Sequence, residues 1–508
     1  MRTTTHTEIV VVGGGPVGML IAAELGAYGI DVVVLEEKSA TSGRPKAGTV
    51  HARAVQALAR RGYLGLPRFS DAPVTEQFHF AGMPGLTITV PAAEPEPVLK
   101  RAQADLEREF EERARDRGVT VLRDHRVTAL RQGPDGVEVV AEGPGGEHTY
   151  SAGFLVGADG ARSTVRREAG FAEDTHPATV SAMMGLVRLI EPGRAPRGWC
   201  RTERGWIVAK PVPDGHTLIR TLDCDGPHPH RRTRATVREL QDEASRIAGY
   251  DIPMEDALSV TRFSDFTRLV RHYRKDRVFL AGDAAHVHFP IGGQGLSTGL
   301  VDALNLGWKL AHAVRGTAGK GLLDTYDDER RPAAQRVIDN TRVQLTLMRP
   351  APELDPLRAM VAELLTLEQT RRHVGDLISA QETVYPARSG FASRWEGRFL
   401  ENVVVRDGAE PQDVTGLLPD GRPLLLLSGE RAAAYGESAR GWAHVLNTVA
   451  ASPDAALPCD AVLVRPDGHI AWAPDAGDLT DALRLWFGEP RWTPPTRPWP
   501  GPLRGAIT

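Results

Sequence analysis

Cysteine is scarce in this chain. Only Cys200, Cys224 and Cys459 occur among 508 residues, far apart and with no Cys-x-x-Cys pair, which excludes a disulfide framework or a cysteine zinc site and predicts a reducing, cytoplasmic address. Long apolar runs are missing as well: the first, Ile9 to Val12, ends at a glycine cluster, so neither a signal peptide nor a membrane span is expected. Charge of one sign is not in excess. Lys and Arg number 61 against 65 Asp and Glu, a net charge of -4, and no basic tract interleaved with aromatics stands out; nucleic acid and membrane are therefore not expected partners, whereas a small molecule is. The basic cluster from His228 to Arg234 reads as a solvated loop. What the chain does have is length, enough for two or three domains with a large core, and glycine, part of which falls in three ordered motifs.

The first motif is Gly13-Gly14-Gly15-Pro16-Val17-Gly18. Ile9 to Val12 read as a buried parallel strand, Met19 to Tyr28 as the helix that follows the turn, and Val32 to Leu35 as a second strand, a complete βαβ unit. Gly13 permits the turn, Gly15 lets the backbone approach a pyrophosphate at the positive helix end, and Gly18 allows close packing of helix and strand. Glu36 ends the second strand, where its carboxylate suits an adenosine ribose and would repel a 2′-phosphate. At this point FAD and NAD fit equally. Thr3 to Thr7, ahead of the strand, read as a loose tail.

Two later motifs favour a flavin. Phe154 to Val156 form a short strand that delivers Gly157-Ala158-Asp159-Gly160. Arg277 to Ala281 form another, ending at Gly282 and Asp283, whose carboxylate is placed for the ribityl hydroxyls. Pro290, Ile291, Gly292, Gly293, Gln294 and Gly295 read as a loop too rich in glycine to be helical, followed by a helix from near Leu296 through Leu310 whose first N–H groups would face the N1–C2=O edge of the ring. His286 and His288 lack a third ligand nearby, so no metal is expected. Gly295-Leu296-Ser297-Thr298-Gly299 matches a nucleophile turn formally, but a glycine loop precedes it where that turn needs a strand.

This set resembles the class A flavoprotein aromatic hydroxylases, the para-hydroxybenzoate hydroxylase-like group, and within it the actinobacterial polyketide hydroxylases such as those acting on angucyclines. His79-Phe80-Ala81-Gly82-Met83, the stretch from Gly292 to Leu310, and Arg465-Pro466-Asp467-Gly468-His469-Ile470-Ala471-Trp472 carry the closer likeness, which spans nearly the whole chain. It implies adenine-side contacts from Glu36 and the backbone near Val127, a flavin contact from Gln103, a role for Asp159 in its turn, and ribityl binding by Asp283. Pro290 and Gly292 to Ser297, including Leu296, would lie beside the ring. Two positions depart from the pattern: Lys46 stands where relatives carry arginine, and Ser297 where they commonly have asparagine.

The implied activity is that of an FAD-dependent, NADPH-using (or NADH-using) monooxygenase that inserts one atom of O2 into a polycyclic aromatic polyketide through a flavin C4a-hydroperoxide, most simply by phenol-directed ring hydroxylation. A Baeyer–Villiger oxygenation of a ketone by the peroxyflavin is the alternative, and a non-catalytic flavin-binding scaffold the alternative of another class. A monomer or homodimer is expected, and the loop from Arg44 to Gly48 would border the path of the ring towards NADPH.

The fold expected is α/β: a discontinuous FAD-binding Rossmann-like domain (1–75, 101–179 and 275–345), an inserted antiparallel-sheet substrate domain (76–100 and 180–274), a helical connector (346–398) and a thioredoxin-like C-terminal domain (399–508). Val180 to Leu189, Trp206 to Pro211 and His216 to Leu222 read as the strands of that sheet, joined by Gln77 to Phe80, with Phe78, Phe80, Trp206 and Phe289 as substrate-pocket residues that would equally suit a core. In the connector, Leu357, Met360, Val361, Leu364 and Leu365 have core-facing spacing. Cys459 lacks a redox partner.

Overall fold

The computed structural model describes residues 4–43, 46–64, 70, 72–228, 233–391, 393–406, 412–452 and 455–491. Arg44 and Pro45 of the expected ring-path loop, 229–232 of the basic cluster and 492–508 of the last segment lie outside them.

Five parallel strands form the heart of an eight-stranded sheet, in the order Val278–Leu280, Gly146–Gly157, Thr4–Val12, Val32–Leu35, Thr120–Leu122. Ile9, Val10 and Val11 are fully buried, as a strand covered on both faces requires. Thr4 to Thr7 are no tail. They pair with Thr149 to Ala152, because the long neighbouring strand extends past the core and satisfies the backbone of residues that bury little. The first helix runs Pro16–Ala27, earlier than the apolar pattern suggested, since proline at a first helical position needs no N–H partner.

The inserted sheet is antiparallel, ordered Gly198–Arg201, Gly205–Pro211, Thr217–Asp223, Ser181–Leu189, Met254–Ser264. Met183, Ile207 and Ile219 pack one face against the helix Val237–Ala248 through Leu240; the other face joins Phe80, Leu86, Trp206, Leu222 and Phe289. Among the described residues the hairpin Val74–Phe80 with Met83–Val90 pairs only with itself, so Gln77 to Phe80 meet the larger sheet through side chains and do not extend it.

The connector is two helices, Asp355–Leu364 and Glu368–Ser379. The first has no buried residue, and Leu357, Met360 and Leu364 are exposed, against the expectation, whereas Val361 packs on the aromatic cluster and Leu365, just past the helix, is buried as expected. Helical spacing shows that an apolar stripe exists, not that a neighbour covers it. Arg358 fastens this helix by donating to the carbonyls of Leu347, Arg349 and Ala351.

Asn447–Ala450, Leu424–Leu427, Ala461–Val464 and Ile470–Trp472 lie side by side in that order, the first pair parallel and the rest antiparallel, with helices Ala432–Ala439 and Leu479–Phe487. This is the thioredoxin-like arrangement. It shares one continuous apolar core with the parallel sheet, where Trp472 and Trp486 of this unit join Trp308 and Leu304.

Candidate active site

The glycine turn after the first strand is shaped by contact. Gly13 has φ 106°, and a Cβ there would sit 2.4 Å from the carbonyl oxygen of Ala158, while one on Gly18 would sit 1.9 Å from that of Gly13. At Gly15 nothing lies within 4 Å. The turn is therefore packed on its inner side and bare where Gly15 and Pro16 open the helix, whose N-terminus has no side-chain cap. Bare amides at a positive helix end suit a pyrophosphate. Val17 packs against Gly282 and Gly299 from the later motifs, bringing all three glycine segments to one cleft.

Glu36 is buried at the strand end and accepts from the amides of Gly14 (2.6 Å) and Lys38 (2.9 Å). Beside it the amide of His125 donates to the Glu36 carbonyl, two residues before the buried Val127. Gln103 opens the helix Gln103–Asp116 and its amide donates to the Ala47 carbonyl at 3.0 Å, bringing Lys46 to the cleft. Glu107 lies there too, its carboxyl raised chiefly by burial with Lys46 and Arg123 pulling it back.

Asp159 engages its own turn: it accepts from the Ser163 hydroxyl and from the amides of Thr164 (2.6 Å) and Val165 (3.1 Å). Arg166 then donates to the Ala284 carbonyl at 2.9 Å, tying this turn to the next. Asp283 is surrounded by protein yet accessible to solvent, as a carboxylate lining a cleft must be. Burial raises its pKa, with His286 and Lys46 opposing.

The ring loop is more helical than expected. Ile291–Gly293 form a 3-10 turn and the long helix begins at Gln294, because Gly292 (φ 73°) and Gly293 (φ 66°) supply left-handed backbone that lets the chain enter a helix directly after Pro290. Its N-terminus carries no side-chain cap, leaving the amides of Gly295 and Leu296 at a positive end. Ser297 is buried and accepts from the His51 amide at 3.0 Å; it is on a helix, not on a strand-to-helix elbow. The Gln294 carboxamide is turned towards the neighbouring helix, accepting from Asn340 at 3.1 Å.

His51, which the sequence did not single out, donates through Nε2 to the Gly292 carbonyl at 2.7 Å and so holds the loop. Burial lowers its pKa to about 4. His288 borders the position of Gly295 and is also lowered to about 4 by burial. His286 is engaged by Asp302 at 2.9 Å.

Phe80, Trp206 and Phe289 come together in one buried cluster with Phe78 against it. Phe78 meets His51 edge-on at 5.3 Å and stacks on His79 at 5.0 Å, and Phe289 packs on Phe263 at 5.6 Å. Trp206 is fixed by donating Nε1 to the Met348 carbonyl at 2.6 Å. Two cations join this aromatic wall. Arg220 shares the strand face of Leu218 and Leu222, opposite Ile219 and Thr221, and makes no ion pair or hydrogen bond with the described residues. Lys100 lies 5.9 Å over the Phe78 ring. Burial first, then Arg220 and Lys100, lower His79 to about 4. An arginine in the register of inward leucines was the signal for Arg220 that the sequence offered.

Comparison with known proteins agrees with this geometry. The FAD binding domain family matches residues 6–341, and the aromatic-ring hydroxylase C-terminal family residues 393–490. The chain is 37% identical over 505 residues to a 12-dehydrotetracycline 5-monooxygenase/anhydrotetracycline 6-monooxygenase of Streptomyces rimosus subsp. rimosus, covering 95% of this chain and 99% of that one. It is 34% identical to a dialkyldecalin synthase of Streptomyces rugosporus, over 94% of this chain and 98% of that one. The solved structure of CabE, an aromatic hydroxylase from angucycline biosynthesis, superposes with a TM-score of 0.86 at 35% identity, covering 96% of this chain and 100% of that chain. The chain belongs to the FAD-binding aromatic-ring hydroxylases and is an FAD-dependent monooxygenase. The bare amides at Gly15, the cleft-lining Asp283 and the uncapped helix at Gln294 fit that cofactor.

Proposed function

We propose that the protein uses NADPH and O2 to place one oxygen atom on a polycyclic aromatic polyketide, at a ring carbon beside an ionised phenol. The observation that carries this reading is the pairing of an aromatic wall (Phe78, Phe80, Trp206, Phe289) with two cations, Arg220 and Lys100, beside the ring loop. A flat, apolar substrate is held by the rings, and its phenolate by the cations, since a nearby positive charge favours the ionised form of an acid. The names of the tetracycline and angucycline relatives support the substrate class.

Bound FAD supplies the activation of oxygen; the protein binds, orients and excludes water. In this reading Glu36 and the region of Val127 take the adenosine, Gly13 to Gly18 the pyrophosphate, and Asp283 the ribityl chain. Gln103, Lys46 and the segment Pro290 to Ser297 border the ring, and Asp159 builds the turn between them. With pKa values near 4, His51, His79 and His288 are neutral at pH 7, which leaves the positive charge of the cavity to Arg220 and Lys100.

The test is NADPH oxidation by the FAD-loaded protein under air with a panel of phenolic polyketides, followed by mass and NMR of the product. Substrate-stimulated oxidation with a new phenol establishes hydroxylation; a lactone replaces it with ring expansion. The dialkyldecalin synthase relative motivates one further reading, a flavoprotein that binds FAD without oxidative turnover. Full FAD occupancy with no stimulation by any phenol in the panel would favour it.

A further inference from the structure

Behind the Gly282–Asp283 turn runs a buried polar chain, whose Arg330 and Tyr385 also line a small cavity with His51 and Gln294. Asp302, on the helix that starts at Gln294, is fully buried. One of its oxygens accepts from the Gly282 amide (3.0 Å) and pairs with His286 Nε2 (2.9 Å); the other accepts from Arg330 Nε at 2.8 Å. Arg330 also donates to the Thr298 carbonyl in the first turns of that helix (3.2 Å) and to the Tyr385 hydroxyl (3.0 Å). Tyr385 stacks on His469 of the C-terminal domain at 4.1 Å. Burial would raise Asp302, but Arg330 and His286 hold its carboxyl below its ordinary value, so it is an anion gripped from both sides.

We infer that Arg330 is a positioning residue for FAD, fixing through Asp302 the distance between the Asp283 turn and the helix start at Gln294, with the C-terminal domain bracing it through Tyr385. Gly299 makes the fit demanding, because a Cβ there would lie 2.7 Å from Val17 and 3.3 Å from Gly282 Cα; helix, pyrophosphate turn and ribityl turn share one contact. A planar guanidinium serves three acceptors in fixed directions, which a lysine cannot reproduce.

The test is the FAD dissociation constant of apoprotein variants, measured together with apoprotein Tm and the reduction potential of the bound flavin. Arg330→Gln is expected to weaken FAD binding about tenfold, the worth of one hydrogen bond to a charged group, and to shift the potential, with Arg330→Lys recovering part of the loss. Tyr385→Phe, which removes a single bond, is expected to weaken binding by about threefold and keeps the inference testable if Arg330→Gln does not fold. Unchanged FAD affinity in the folded variants, or a fall in Tm alone, would overturn it. The inference rests on FAD lying along the Asp283 turn, so Asp283→Ala is measured alongside. Loss there but in neither other variant refutes the bracing alone; loss in none of the three refutes the placement as well.

Discussion

Asp283 and Asp159 carry the same functional group in similar glycine turns, yet the structure gives them different work. Asp159 has three donors of its own turn, whereas Asp283 faces the cleft with its charge disfavoured by burial. Asp283→Ala is therefore expected to lose FAD while the fold persists, seen as colourless, folded protein after purification. Acid is expected to act through the histidines. His51 is neutral in the folded state with a pKa near 4, against about 6.5 when unfolded, so the unfolded chain binds the extra proton. Stability is full above pH 6.5 and falls as the pH drops towards 4, by about 1.4 kcal/mol per pH unit for this one group. In His51→Gln a plot of unfolding free energy against pH should lose about 1.4 kcal/mol per pH unit of slope over that window, with His79 and His288 keeping the rest. Asp159 is set by its own turn, but the other environments are not local in sequence: His51 is buried by a segment more than two hundred positions away, and Arg220 gained meaning only from the strand face it shares.

At the scale of the element, the glycine turn separates two roles. Gly15 has ordinary backbone angles (φ -76°) and open space where a side chain would go, whereas Gly18 sits against the Gly13 carbonyl. Gly15→Ala should leave the apoprotein Tm nearly unchanged while weakening FAD binding by about tenfold or more; Gly18→Ala should lower Tm or abolish soluble expression. Thermal melts with and without FAD separate the two. The strands, the long helices and the order of the motifs were legible because buried parallel strands must be apolar throughout and nucleotide turns need glycine. The start of the helix at Gln294 was not, since glycine's helix penalty hides its use in left-handed backbone at a helix entrance. One face of the connector was misread for another reason: Leu357, Met360 and Leu364 have helical spacing like the core-packed Val361 and Leu365, and spacing alone cannot say which stripes find a partner.

Across the whole molecule, the C-terminal domain is joined to the nucleotide domain by buried charge. Arg465 donates to Glu329 at 2.7 and 2.8 Å and to Asp467 at 3.0 and 2.5 Å; Lys309 donates to Glu329 at 2.7 Å. Burial alone would raise Glu329, but Arg465 and Lys309 hold it well below the usual carboxylate range. Arg465→Met leaves buried carboxylates without their partner and is expected to cost about 3–5 kcal/mol, read as a lower urea midpoint. Glu329 contributes stability that is present above its unfolded pKa and lost as pH falls through the depressed one. The sequence by itself determined the α/β class, the flavin and the three glycine turns, because each rests on short-range rules of burial, backbone freedom and helix entry, while the thioredoxin-like ending followed from the likeness of its motifs to a known family. Tertiary structure alone decided that Arg220 and Lys100 face the aromatic wall, that His51 holds the ring loop, and that Arg330, Asp302 and Arg465 bind the domains together. Those groups act through partners distant in the chain, and only folding sets the distance and the loss of water that give a charge its strength.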